Sequence, residues 1–197
     1  MPFPAYIEST RDGEKAYDVY TRMLKDRIVF LTGVVGEDMA NHLVAQLLLL
    51  ESQNDKAPII MYVNSPGGSV THGMAIYDTM QYITSPIHTV VIGQAASMAS
   101  LLACSGAHRS ITTNSRHMIH QPLGGASGQA TDVLIHANEL LRWKEVLTSI
   151  YQKHTNQLLE TLQNDMERDN YMTAQQALNY NLVDEIVENR TSESNPS

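Results

Sequence analysis

Cysteine is almost absent: the chain of 197 residues holds one, Cys104. A single cysteine excludes a disulfide framework and a cysteine-built metal cluster, and it points to a reducing compartment. Basic residues are also scarce, with 13 Lys and Arg against 21 Asp and Glu and a formal net charge of −8. A nucleic-acid binder needs a basic face to neutralise phosphates, so that class is excluded. The imbalance is steepest from Glu160 to Glu188, where seven acidic residues accompany one basic residue, Arg168. A solvated surface is the plain reading of that segment. No apolar run approaches the ~20 residues of a membrane span. Residues 1–15 carry Pro2, Pro4, Glu8, Arg11, Asp12 and Glu14 without an apolar stretch, so a signal peptide is not expected. The glycosylation pattern Asn189-Arg190-Thr191 is read as chance.

What is present describes a globular chain. Hydrophobic residues make up 43% and charged residues 17%, and the length suits one domain over 1–197 with a sizeable core. Residues 1–15 are expected to form an irregular arm, and the polar stretch 189–197 a disordered tail.

Between them, strands and helices alternate. A short helix is expected over 17–24 and a strand over 27–31, broken by Thr32-Gly33. A helix follows over 37–51, with Met39, Leu43, Leu47 and Leu50 at helical spacing. Ile59–Val63 reads as a strand buried on both faces. A loop, Asn64-Ser65-Pro66-Gly67-Gly68, leads to a helix over 73–83, and a strand over 87–92 to a helix ending at Cys104. Short strands are expected at 109–112 and 116–119, with a glycine-rich loop over 121–131. The longest helix runs from Asp132 to His154, with Val133, Ala137, Leu140, Trp143, Leu147 and Ile150 on one face. At ~35 Å it exceeds what one small domain needs, so part of it should project. Residues 156–168 look helical, Thr173 caps a further helix, and 183–187 closes as a strand. The alternation implies an α/β fold on a mostly parallel sheet.

Three features on this scaffold could carry chemistry. Ser97 stands where a strand gives way to a helix of small residues, beside N–H groups that lack intrahelical partners. It is not in a G-x-S-x-G elbow, and a tightly packed small serine is the bland alternative. Gly67-Gly68 follows a buried strand at the sheet edge where such folds bind ligands. Paired glycines expose N–H groups as an oxyanion hole requires, although a plain Pro-Gly turn reads the same way. His120 ends a strand at such an edge. His117, three residues earlier, faces the other side, which makes the pair a poor chelate, and no metal site is expected. His42, His72, His108, His136 and His154 read as surface. A carboxylate partner stays open among Asp165, Asp169 and Asp184.

Five separated motifs then carry a resemblance over nearly the whole length: Asn64–Gly68 (NSPGG), Gly93–Met98 (GQAASM), Met118–Gly125 (MIHQPLGG), Gly128–Asp132 (GQATD) and Glu167–Asp169 (ERD), joined by Ile28–Gly33 and Ala75–Met80. The chain resembles the ClpP family, the proteolytic subunits of Clp proteases. The resemblance implies a ClpP/crotonase-like spiral of ββα units with a protruding strand–helix handle over 121–154. It implies a serine endopeptidase with Ser97 as nucleophile, His120 as base, Asp169 as orienting acid, and Gly68 and Met98 as oxyanion donors. Peptide would bind in extended form near Ser69–Val70 and Leu123–Gly124. Implied partners are further copies of the chain in stacked heptameric rings, an AAA+ unfoldase of the ClpX or ClpA type docking near Tyr62 and the N-terminal arm, and unfolded polypeptide. No cofactor is implied, since ATP is used by the partner, and the expected compartment is bacterial cytoplasm or mitochondrial matrix. A catalytically silent ring subunit and a crotonase-type acyl-CoA enzyme are the alternatives. Three departures stand out: Ala99 where glycine is usual, a segment 107–114 shorter by two residues, and Asn181 in place of a glycine.

Overall fold

The structure, a computed structural model, describes residues 5–10 and 13–188. The glycosylation pattern and the tail expected over 189–197 lie outside the described residues, as do 1–4, 11 and 12. The arm expected to be irregular is otherwise a hairpin: β1 (Ala5–Thr10) pairs antiparallel with β2 (Gly13–Asp18), from Ala5↔Asp18 to Thr10↔Gly13. Tyr6 and Ile7, on opposite faces of β1, are both exposed, so the hairpin lacks the one-sided burial that signals a strand. Helix α1 (Val19–Lys25) is capped by Asp18, whose side chain accepts from the Thr21 N–H. It is tied back to the hairpin by Lys25 Nζ, 2.7 Å from Glu8 Oε2.

The main sheet is built from β3 (Ile28–Val35), β4 (Ile59–Gly68), β5 (Ile87–Ala96), β6 (His108–Thr112) and β9 (Glu185–Val187), in that order and all parallel. Helices α2 (Glu37–Gln53), α3 (Val70–Tyr82) and α4 (Met98–Cys104) make the right-handed returns between β3, β4, β5 and β6. Three strands, β3, β4 and β5, run several residues past their expected ends. β3 passes through Gly33, at φ 76°, with a register slip against β4 between Thr32 and Val34. β4 continues through Asn64–Gly68, because Val35↔Gly68 and Ser65↔Ala95 pair that stretch on both sides. Proline and glycine there read as a loop, whereas two neighbouring strands hold the backbone extended.

β5 forks. His88–Val91 pair with β6, and beyond Gly93 the residues Gln94–Ala96 pair with β7 (Arg116–Ile119). A tight turn between β6 and β7 is closed by the Ser115 N–H on Thr112 O at 2.9 Å. All seven residues of α4 are buried. Leu101 and Leu102 each stabilise the core by ~1.5–3 kcal/mol relative to exposure.

Residues 120–127 pair with no strand among the described residues, so the strand expected ahead of the long helix is not formed. Helix α5 (Ala130–Thr155) spans 26 residues, about 39 Å at 1.5 Å per residue. Its first half is mostly exposed, with Leu134, Ile135 and Leu141 facing out, and its second half buries Leu147, Ile150 and Tyr151. Asn156, at φ 56°, ends α5 in a left-handed cap. Helix α6 therefore covers only Leu159–Asp165 of the expected helical stretch. Strand β8 (Asn170–Thr173), which was not anticipated, pairs antiparallel with β7. Helix α7 (Ala174–Asn179) begins at Thr173 with a reciprocal cap from Gln176. Asn181 adopts φ 62°, which asparagine tolerates in place of glycine. Among the described residues no helix is long and apolar enough to cross a membrane.

Candidate active site

The end of β5 turns sharply at Ser97 into α4. Ser97 has φ 55° and ψ −125°, outside the regions L-residues favour, a conformation costing ~1–3 kcal/mol. This is an elbow built without the glycines of G-x-S-x-G. Ala95 and Ala99, the residues two before and two after, are fully buried and leave room for the turn. The Ser97 N–H donates to Met118 O of β7 at 2.8 Å, which fastens the serine to the strand that leads into His120.

Beyond β7, His120 meets both of its partners. Its Nε2 lies 2.7 Å from Ser97 Oγ and its Nδ1 lies 2.8 Å from Asp169 Oδ1. A carboxylate only accepts, so Nδ1 carries the proton and donates it. The Nε2 lone pair is thereby left to accept from the serine hydroxyl. The β7–β8 register explains why Asp169 is the partner. Ile119 lies opposite Asn170, so the next pair outward is His120 and Asp169. The other two carboxylates are committed elsewhere: Asp165 accepts from the Tyr180 hydroxyl at 2.8 Å, and Asp184 is paired with Arg109. The loop bearing Asp169 is further held by the Gln121 N–H on Met166 O at 2.6 Å, Gln121 Nε2 on Glu167 O at 2.9 Å, and Lys144 of α5 on Glu167 at 3.2 Å.

Gly67 and Gly68 lie at the end of β4 with φ 88° and 156°. A methyl group on Gly67 would stand 2.5 Å from Ala96 O, 2.8 Å from Ser97 Cβ and 2.9 Å from Met98 N. Gly67 therefore abuts the serine turn through bare backbone, while a methyl group on Gly68 would meet the Val35 backbone of β3. Met98 is the first residue of α4, so its N–H is one of those a helix leaves without an internal acceptor. The extended-peptide site fares unevenly. The Ser69 N–H is donated to Val35 O at 2.8 Å and its carbonyl accepts from Gly73, whereas Val70 opens α3, and the N–H of a first helical residue has no intrahelical acceptor. Across the site Leu123 is 80% exposed, in the segment without a strand partner.

A cavity of about 20 Å³ beside Ser97 is lined by Val70, Met98, Leu101, His120, Leu147 and Tyr151. A wider cleft of about 410 Å³ follows His120, Gln121, Leu123 and residues 167–169. Tyr151 and Gly73 are neighbours that sequence reasoning missed. A methyl group at Gly73 would stand 2.2 Å from Met98 Cγ, and a glycine inside a helix was the available signal. Of the histidines expected at the surface, His154 is half-buried, its ring nitrogen 3.2 Å from the Tyr77 hydroxyl and its pKa lowered to about 4 by burial. Among the described residues no three His, Cys, Asp or Glu side chains converge on one point.

A hydroxyl, an imidazole and a carboxylate in hydrogen-bonded series, at a strained turn beside bare backbone N–H groups, suit acyl transfer. A family model described as Clp protease matches residues 11–190. That match takes in the serine turn, the glycine pair, β7 and the loop of Asp169, and with it the chain belongs to the Clp protease family and is a peptidase.

Proposed function

We propose that this peptidase is a serine endopeptidase acting on unfolded polypeptide, with Ser97 as nucleophile, His120 as general base and Asp169 as the group that orients the imidazole. The observation that carries the reading is the unbroken series Ser97 Oγ, His120 and Asp169 at 2.7 and 2.8 Å. His120 Nε2 takes the Ser97 proton as the oxygen attacks the peptide carbonyl. The Gly68 and Met98 N–H groups receive the oxyanion that forms. His120 then passes the proton to the leaving amine, and an ester to Ser97 remains. Water, deprotonated by the same nitrogen, releases the acid and restores the serine. No cofactor takes part. The peptide runs extended past Leu123–Gly124, whose backbone has no strand partner.

The chain works, on this reading, in stacked heptameric rings that enclose the site, fed by an ATP-driven AAA+ unfoldase of the ClpX or ClpA type in the service of protein quality control. The exposed apolar residues on the first half of α5 support an interface there. Tyr62, stacked on Phe30 at 5.8 Å, which in turn meets Tyr20 edge-on, supports an aromatic docking surface. The setting that fits is bacterial cytoplasm or mitochondrial matrix. A fluorophosphonate probe tests the chemistry. It should label the wild type and not Ser97→Ala, in step with loss of turnover on a short fluorogenic peptide. Turnover that survives Ser97→Ala overturns the proposal. Native mass of the active species tests the assembly.

A further inference from the structure

A strained turn persists only where its surroundings over-determine it, so the groups holding the Ser97 backbone merit a count. Its N–H is held by Met118 O. Its carbonyl accepts from the N–H groups of Ser100 at 2.9 Å and Leu101 at 3.3 Å, both inside α4, and from the Tyr151 hydroxyl at 3.3 Å. Tyr151 is thus a holder of that carbonyl from outside the turn, and it comes from α5. Its hydroxyl also lies near the Ser100 side chain, and Ser100 Oγ lies 2.8 Å from His117 Nδ1. All three side chains are sealed from solvent, with exposures of 2%, 0% and 0% for Tyr151, Ser100 and His117.

We infer that His117, Ser100 and Tyr151 form a one-way hydrogen-bond chain ending on the Ser97 carbonyl, which makes Tyr151 a positioning residue for the reacting hydroxyl; the inference rests on the serine-peptidase reading above. The direction follows from the histidine. Burial lowers its pKa to about 3, so the ring is neutral and carries one proton. Its Nε2 is buried with no protein partner among the described residues. A proton there would strand an N–H donor, which folded proteins rarely permit. A proton on Nδ1 donates to Ser100 Oγ and frees the Ser100 hydroxyl to donate to Tyr151 Oη. The tyrosine then donates to Ser97 O. Every donor is used, the one bare atom is an imidazole lone pair, and bonds aligned in series strengthen one another. The chain links the strand that carries the base, the helix that follows the nucleophile, and α5.

The test uses the full chain. Tyr151→Phe removes one oxygen atom. It should lower kcat on a fluorogenic peptide about tenfold with KM changed by less than about twofold, and slow fluorophosphonate labelling by the same factor. His117→Asn places an amide nitrogen near the Nδ1 position, and His117→Gln places one near Nε2; kcat should be several-fold higher in the Asn variant. In wild-type protein, nitrogen-15 spectra of labelled histidine should show His117 protonated at Nδ1. That readout holds even where a variant fails to fold. Wild-type kcat and labelling in Tyr151→Phe, or a His117 proton on Nε2, overturns the chain. Ser97→Ala run alongside separates the two readings. Turnover surviving there overturns the serine peptidase, whereas turnover lost there with an unaffected Tyr151→Phe overturns only the positioning role.

Discussion

His117 and His120 leave the same short strand on opposite sides, into regions of opposite character. Behind the strand, His117 is buried against α4, bonded to Ser100 and held neutral with its pKa lowered to about 3 by burial. In front of it, His120 bridges Ser97 and Asp169 at the mouth of a cleft. A general base must accept a proton and give it up at working pH. The sealed side forbids that cycle, while the open side supplies a carboxylate to steady the ring that carries it. The rear histidine can therefore fix geometry, and only the front one can move a proton through a reaction.

That division breaks most sharply under substitution of the groups proposed to react. Ser97→Ala and His120→Ala should each lower peptide turnover on the order of 10³–10⁴-fold, with thermal midpoints near wild type because both side chains stand at the cleft. Should His117→Asn prove as damaging as His120→Ala in a folded protein, the division is wrong. Asp169→Asn comes next. Its carboxylate is 57% exposed, so water screens part of its influence and a loss on the order of 10²-fold is expected, read as kcat. Gly67→Ala forces a methyl group into Ala96 O and Ser97 Cβ at a positive φ. Destabilisation of ~2–3 kcal/mol should appear in urea unfolding, together with slower probe labelling.

The pH dependence of stability sharpens the comparison. The His117 pKa falls from 6.5 to about 3 on folding, so between those values the unfolded chain binds a proton that the native chain does not. Its stabilising effect is therefore complete above about pH 6.5 and is lost as pH falls toward 3. The slope is on the order of 1 kcal/mol per pH unit. His154, lowered to about 4, acts in the same direction. Urea midpoints at pH 7 and 5 check this, and His117→Asn should flatten the difference. The smallest effect expected is from Ala99→Gly, ~1 kcal/mol of stability from helix propensity, with turnover nearly unchanged.

How much of this was legible in the sequence follows the range of the interactions involved. The buried runs of β4 and β5 and the periodicity of α2 and α5 announce themselves locally, and so does the Thr173 cap. Asn64–Gly68 read as a loop because its residue types favour turns, and only the flanking strands keep it extended. β8 spans four residues and exists through its pairing with β7. Without it, composition gives no reason to prefer Asp169 to Asp165 or Asp184. Ser97's positive φ was hidden because alanines stand where an elbow usually shows glycine. Tyr151 looked like one more position on a long helix; its hydroxyl gains meaning from a carbonyl 54 residues away in the chain.

The fork of β5 at Gly93 has a consequence for how this scaffold can be altered. A side chain at that branch would collide with Asn64 Oδ1 at 2.8 Å, and the Gly93 N–H is held by Ser115 Oγ at 2.6 Å. Beyond the branch, Gln94–Ala96 and β7 share a ladder of their own, apart from β6 and β9. Ser97 and His120 thus ride on one limb of the tree and the acidic edge strand β9 on the other. Recharging the exposed residues of β9 should therefore leave the first limb in register, which makes that edge the place to graft new surface.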